Sequence, residues 1–144
     1  MGVRRLSAVV VIVHWQGNRI AMIQGLDAIH QLTSLDFAHN RLILLDSIQQ
    51  ATRLTVLDVE ANFLNNTQLH CLRQLSQLTS LNIAGNSVTS LSHLHGLRGL
   101  SVLRVSRNAL LSLVRVMRSV QRWARGLLTR PVRRCNSDCG TCLS

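Results

Sequence analysis

From Val10 to Leu110 the apolar positions return in one fixed block. Around Asn40 it reads Leu32-Thr-Ser-Leu35-Asp-Phe37-Ala-His-Asn40-Arg-Leu42. The same frame stands at Leu54, Leu57, Val59, Asn62 and Leu64, again at Leu78, Leu81, Ile83, Asn86 and Val88, and again at Leu100, Leu103, Val105, Asn108 and Leu110. Upstream, Val10, Val13, Trp15, Asn18 and Ile20 fit it too. The asparagines fall at 18, 40, 62, 86 and 108, at spacings of 22, 22, 24 and 22. Two apolar residues one apart before each Asn make a period-2 step, which predicts a short strand with one side inward. A recurring unit of this length predicts stacked repeats burying a continuous core. Parallel strands are expected at about residues 12–16, 34–38, 56–60, 80–84 and 102–106.

Between the strands the period changes to three. Ile20, Ile23, Leu26, Ile29 and Leu32 follow Asn18; Leu42, Leu45, Ile48, Ala51 and Leu54 follow Asn40; Val88, Leu91, Leu94, Leu97 and Leu100 follow Asn86. A strict three-residue step matches a 3₁₀ helix, in which residues i and i+3 eclipse. The third unit keeps step at Leu64 and Thr67, then restarts two residues late at Leu69, Leu72 and Leu75. Its extra residues, near Asn65 to Gln68, are expected as a bulge on the convex side.

The pattern L-x-x-L-x-L-x-x-N-x-L resembles the leucine-rich repeat over roughly residues 10 to 120. That resemblance implies an α/β solenoid in which each Asn of the ladder Asn18, Asn40, Asn62, Asn86 and Asn108 is buried and bonds backbone groups where the chain leaves the strand. A buried amide without such partners would be costly. The short connectors resemble the 22-residue class typified by a regulatory subunit of protein phosphatase 1, and also those of axonemal, centrosomal and splicing-factor repeat proteins.

After Asn108 the three-residue step fails at Ser119 and a helical period takes over. Leu113, Met117, Val120, Ala124 and Leu127 share one face, with Arg115, Arg118, Arg122 and Arg125 on a narrow arc opposite. This predicts an amphipathic helix stopped near Thr129 by Pro131. The expected organisation is an N-terminal edge at 1–9, repeats at 10–109, a basic capping helix at 110–128 and a flexible, cysteine-containing tail at 129–144. The apolar first strand would have little to cover its outer edge, and such an edge invites pairing. A piece of a longer array is the favoured explanation, a dimer partner the other.

The strand residues that point away from the core form the concave face. Four positions before each Asn stand His14, Asp36, Asp58, Asn82 and Arg104; two before stand Gln16, Ala38, Glu60, Ala84 and Ser106. Resemblance to the repeat family makes this face the expected partner surface, with His14, Gln16, Asp36, Asp58, Glu60, Asn82 and Arg104 as its polar contacts. Its middle is acidic and its C-terminal end basic. Paired carboxylates can do acid–base work, but the sequence supplies no pocket for it. No catalytic residue, cofactor or small-molecule substrate is expected. The face also lacks the aromatics of the phosphatase regulators, so a phosphatase is one candidate partner among several. Trp15 and Phe37 stand at inward frame positions and are expected in the core.

Composition sharpens this picture in three ways. With 144 residues, 47% apolar and 15% charged, the chain is unlike a disordered one, and no apolar run approaches a membrane span. All sixteen basic residues are Arg, and they are lopsided: residues 98–144 hold ten Arg against one acid, while residues 1–97 hold six against five. A like-charged end suggests an anionic partner, so membrane lipid or nucleic acid bound by Arg115, Arg118, Arg122 and Arg125 is the alternative function. Of the four cysteines, Cys71 falls among connector leucines and reads as buried. Cys135, Cys139 and Cys142 have the spacing of an iron–sulfur motif, but after a solenoid and without a fourth His that reads as coincidence, and no metal is expected. Palmitoylation beside Arg133 and Arg134 is left open. Residues 1–13 carry a basic start and an apolar run but no small-residue cleavage site, so a strand is preferred to a signal peptide. A cytoplasmic or nuclear location is expected.

Overall fold

The computed structural model describes residues 11–26, 29, 31–110, 134–135 and 142–143. Five strands, β1 (Val11–His14), β2 (Leu32–Asp36), β3 (Val56–Asp58), β4 (Ser80–Asn82) and β5 (Val102–Arg104), lie side by side in chain order and pair in parallel. Leu35, Leu57, Leu81 and Leu103 stand opposite one another across β2 to β5, so the framed leucines form one row, all buried. Phe37, Val59, Ile83 and Val105 form a second buried row, and the connector residues close the core from the other side.

Each strand ends two residues before the predicted limit, and in β2, β3 and β4 the side chains there explain it. Asp36 Oδ1 accepts the amide N–H of Ala38, Asp58 Oδ1 that of Glu60, and Asn82 Oδ1 that of Ala84. These local bonds bend the chain into a turn. Pairing between repeats nevertheless continues: the N–H of Phe37 reaches the Asp58 carbonyl, and that of His39 the Glu60 carbonyl. The residue before each Asn then turns with positive φ, at Gly17, His39, Ala61, Gly85 and Arg107.

The connectors follow the three-residue step. Segments Asp46–Gln50, His70–Gln74 and Ser92–Gly96 are 3₁₀ helices. In each, the framed residues bond one another: Leu94 N–H donates to the Leu91 carbonyl, Leu97 to Leu94 and Leu100 to Leu97. The extra residues of the third unit are not a bulge. They form one α-helical turn, α1 (Asn66–Leu69), closed by a capping box between Asn65 and Gln68. Asn65 accepts the Thr67 N–H while Gln68 returns a bond to the Asn65 N–H, so two donors at the helix start are satisfied together. The side chain of Asn66 then reaches the next repeat, accepting the N–H groups of Thr89 and Ser90 and donating to Thr89 Oγ1.

One expectation is corrected at the ends of the sheet, and two strands extend it. Trp15 is not core: it is 37% exposed, whereas Phe37, at the equivalent position one repeat on, is 1% exposed. β1 has a described neighbour on one side only, so its inward row is half covered. At the other end the tail carries two short strands, β6 (Arg134–Cys135) and β7 (Cys142–Leu143). β7 runs antiparallel beside β5, with Leu103 opposite Leu143, and β6 pairs antiparallel with β7. The sheet is therefore parallel through the repeats and antiparallel at its last edge. An uncovered edge offers unpaired N–H and C=O groups to any extended segment; main-chain pairing needs no side-chain frame, so the sequence pattern gave no warning of it. The predicted helix at 110–128, with Arg115, Arg118, Arg122 and Arg125, lies outside the described residues from position 111 onward.

Candidate functional site

Two polar ladders hold the repeats in line and set the geometry of the concave face. The first is the asparagine ladder. Asn62 is 5% exposed; its Oδ1 accepts the Leu42 N–H at 2.8 Å, and its Nδ2 donates to the carbonyls of Phe37, Val59 and Glu60. Asn40, Asn86 and Asn108 repeat the arrangement, each bonding its own turn and the repeat before it. Among the described residues Asn18 bonds only the carbonyls of Trp15 and Gln16 in its own turn, and it is exposed.

The second ladder consists of hydroxyls. Thr33 Oγ1 donates to the Val11 carbonyl, Thr55 to Thr33, Thr79 to Thr55 and Ser101 to Thr79. Each stands directly after the first framed leucine of its block, a recurrence visible in the sequence once the register is known.

The acidic spot sits on this frame, and the structure brings its members together. Asn82 Nδ2 donates to Asp58 Oδ2 and to Glu60 Oε2, both at 2.9 Å. Arg107 forms an ion pair with Glu60 from two repeats away. His14 Nδ1 lies 3.5 Å from Asp36 Oδ2. Asn82, expected as a partner contact, is 5% exposed and its described bonds are internal. It holds the two carboxylates together. Arg107, expected with Arg104 to make the C-terminal end of this face basic, stands one place before its Asn with positive φ. Gln16 and Arg104 are exposed, while Asp36, Asp58 and Glu60 are half-buried.

What this arrangement can do chemically is present fixed charge. The carboxylates are held by neighbours, with acid at the centre and Arg104 and Arg107 towards the C-terminal end. The cavity of about 270 Å³ lies away from them, lined by Trp15, Ile20, Met22, Ile23, Gln24 and Phe37, and carries no titratable side chain. Among the described residues no three His, Cys, Asp or Glu side chains are grouped to hold a metal ion, and no helix is long and apolar enough to cross a membrane. Cys71, on the convex side, is half-buried and donates from Sγ to Asp46 Oδ1 at 3.5 Å. Burial, then the hydrogen bond and negative charge of Asp46, push its thiol up from the ordinary value.

The leucine rich repeat family model matches residues 52–110. An internalin (inlF) from Listeria monocytogenes superposes with a TM-score of 0.64 at 27% identity, over 73% of this chain and 31% of the internalin. Internalin C2 (inlC2) from the same organism gives a TM-score of 0.50 at 22% identity, over 73% of this chain and 55% of the other. No curated protein matches the chain. The chain thus spans about a third of the length of the first internalin. Residues 52–110 thus match leucine-rich repeats, a class whose domains generally mediate protein–protein interaction, and the described array shares the solenoid fold of the first internalin.

Proposed function

We propose that the chain is a non-enzymatic interaction scaffold that holds a partner protein against its concave strand face. The observation that carries this reading is the Asp58–Asn82–Glu60–Arg107 network. Its side chains are fixed before any partner arrives, so little rotamer freedom is lost on binding. His14, Gln16, Asp36 and Arg104 extend the same face. Acid at its centre and Arg at its end fit a partner of the opposite charge order, since complementarity sets register and rate of encounter. A phosphatase is one such partner, given the likeness of the connectors to those of the phosphatase 1 regulatory subunit; a cytoskeletal or axonemal assembly is another. Cytoplasm or nucleus is the proposed location.

The charge asymmetry favours one second reading, an anion-directed module whose Arg115, Arg118, Arg122 and Arg125 bind lipid or nucleic acid. An affinity purification compares Asp36→Arg/Asp58→Arg with Arg118→Glu/Arg122→Glu. The scaffold reading expects partners to be lost with the first pair and retained with the second. Loss only with the second pair overturns it in favour of the anion-directed module, which also predicts steep weakening with salt.

A further inference from the structure

The flank where the chain ascends from each Asn carries a surface that the concave-face reading does not use. There the segments after the asparagines run side by side: Arg41 N–H donates to the Ile20 carbonyl, Ile43 to Ala21 and Phe63 to Leu42, and Met22 bridges Leu44 in parallel. Leu42 and Leu45, like Ile23 and Leu64, face inward, and the residues between them face outward. Three of the outward ones are large and apolar: Phe63 at 61% exposure, Ile43 at 49% and Met22 at 46%. They occupy three successive repeats in one diagonal strip, which ends at the cavity that Met22 shares with Trp15. Arg19 and Arg41 stand exposed on the same segments, and neither has an ion-pair partner among the described residues.

We propose that this strip is a second docking surface, and that its occupant is an acidic amphipathic helix of another protein. The spacing supports a helix. Neighbouring strands are about 4.8 Å apart and each residue rises about 3.3 Å, so the strip from Met22 to Phe63, two strands across and three residues along, is about 14 Å long. Apolar residues at i, i+3, i+7 and i+10 of a helix span about 15 Å along its axis. Charge selects the acidic helix: two guanidiniums with no ion-pair partner among the described residues flank the strip, and no carboxylate on these segments opposes them. The same charge argues against a second copy of this chain laying its own Arg115–Arg125 segment there, because like charges would face one another.

The test uses the full chain and a fluorescein-labelled amphipathic peptide with Leu at i, i+3, i+7 and i+10 and Glu on the flanking positions. Anisotropy should report saturable binding, weakened about tenfold by Phe63→Ser and by Arg41→Glu. Phe63 is mostly in solvent, so its replacement leaves the fold intact, which a thermal melt by circular dichroism checks. A scrambled peptide, or one with Lys for Glu, should bind at least tenfold more weakly. Equal binding of the scrambled peptide, or indifference to Phe63→Ser, overturns the proposal. Loss of binding with Asp36→Arg/Asp58→Arg but not with Phe63→Ser also overturns it and assigns the peptide to the concave face. Concentration-dependent self-association abolished by Phe63→Ser overturns the choice of occupant in favour of a second copy.

Discussion

Asn62 and Asn18 occupy the same place in the same sequence frame, yet they do different things. Asn62 is buried and ties three carbonyls and one amide together across two repeats. Asn18 is exposed and, among the described residues, bonds only its own turn. Phe37 and Trp15 repeat the contrast with aromatic side chains, one sealed in the core and one about a third exposed although their rings are 5.0 Å apart. The difference lies in the neighbour. In a stacked array, stability is the sum of each unit's own contribution and its contacts with the units beside it. The frame says which side chain faces inward; only the preceding repeat makes that position worth burying.

Substitutions can press on this contrast from the centre outwards. Leu57, at 1% exposure in the middle of the row, has framed leucines on both sides. Leu57→Asp buries an unpaired charge and should cost about 4 kcal/mol or more, collapsing the cooperative transition in a urea titration. The same change at Val13, in the first repeat, should be milder, and equal effects would break the comparison.

Gly85→Ala is expected next. Gly85 has φ +63, and an added Cβ would stand 3.3 Å from the backbone of Ala61. A loss of about 1–2 kcal/mol is expected from the left-handed conformation, with a further amount from the contact, read as a lower melting temperature. Gly17 has the same conformation but nothing within 4 Å of an added Cβ, so Gly17→Ala should lose only the first part.

Removing one rung of the hydroxyl ladder should have a smaller effect. Thr55→Val keeps the shape and loses the bond to the Thr33 carbonyl, worth about 1 kcal/mol by equilibrium denaturation. The smallest effect concerns Cys71. Burial and Asp46 raise its pKa and so lower its thiolate fraction, and iodoacetamide should label it more slowly in the native chain than in the urea-unfolded one at the same pH, as followed by mass spectrometry. Because the folded pKa is raised, this group's contribution to stability is present below its unfolded pKa and fades as pH rises through the folded value.

The repeat itself was legible because its signals are redundant. A leucine, a period and an asparagine agree at each block, and the 3₁₀ connectors could be read from the three-residue step alone. Features that depend on one local interaction escaped. The α1 turn rests on a capping box between Asn65 and Gln68 that sat within the residues read as a bulge. The pairing of β7 with β5 is main-chain bonding at an edge, which leaves no side-chain signature. Asn82 looked like its neighbours Asp58 and Arg104 in the outward row, but an amide between two carboxylates can donate to both, and that draws it inward. The flank strip escaped for another reason: Met22, Ile43 and Phe63 stand at different offsets from their asparagines, so no column of the aligned frame collects them.

The account rests on the neighbour, and paired denaturation of Asn62→Ala and Asn18→Ala tests that most directly. Asn62→Ala leaves the Leu42 amide and the carbonyls it served without their buried partner, and about 3 kcal/mol should be lost, seen as a lower urea midpoint. Asn18→Ala removes two exposed local bonds and should move the midpoint by about 0.5 kcal/mol or less. Losses of equal size at the two positions would contradict the account.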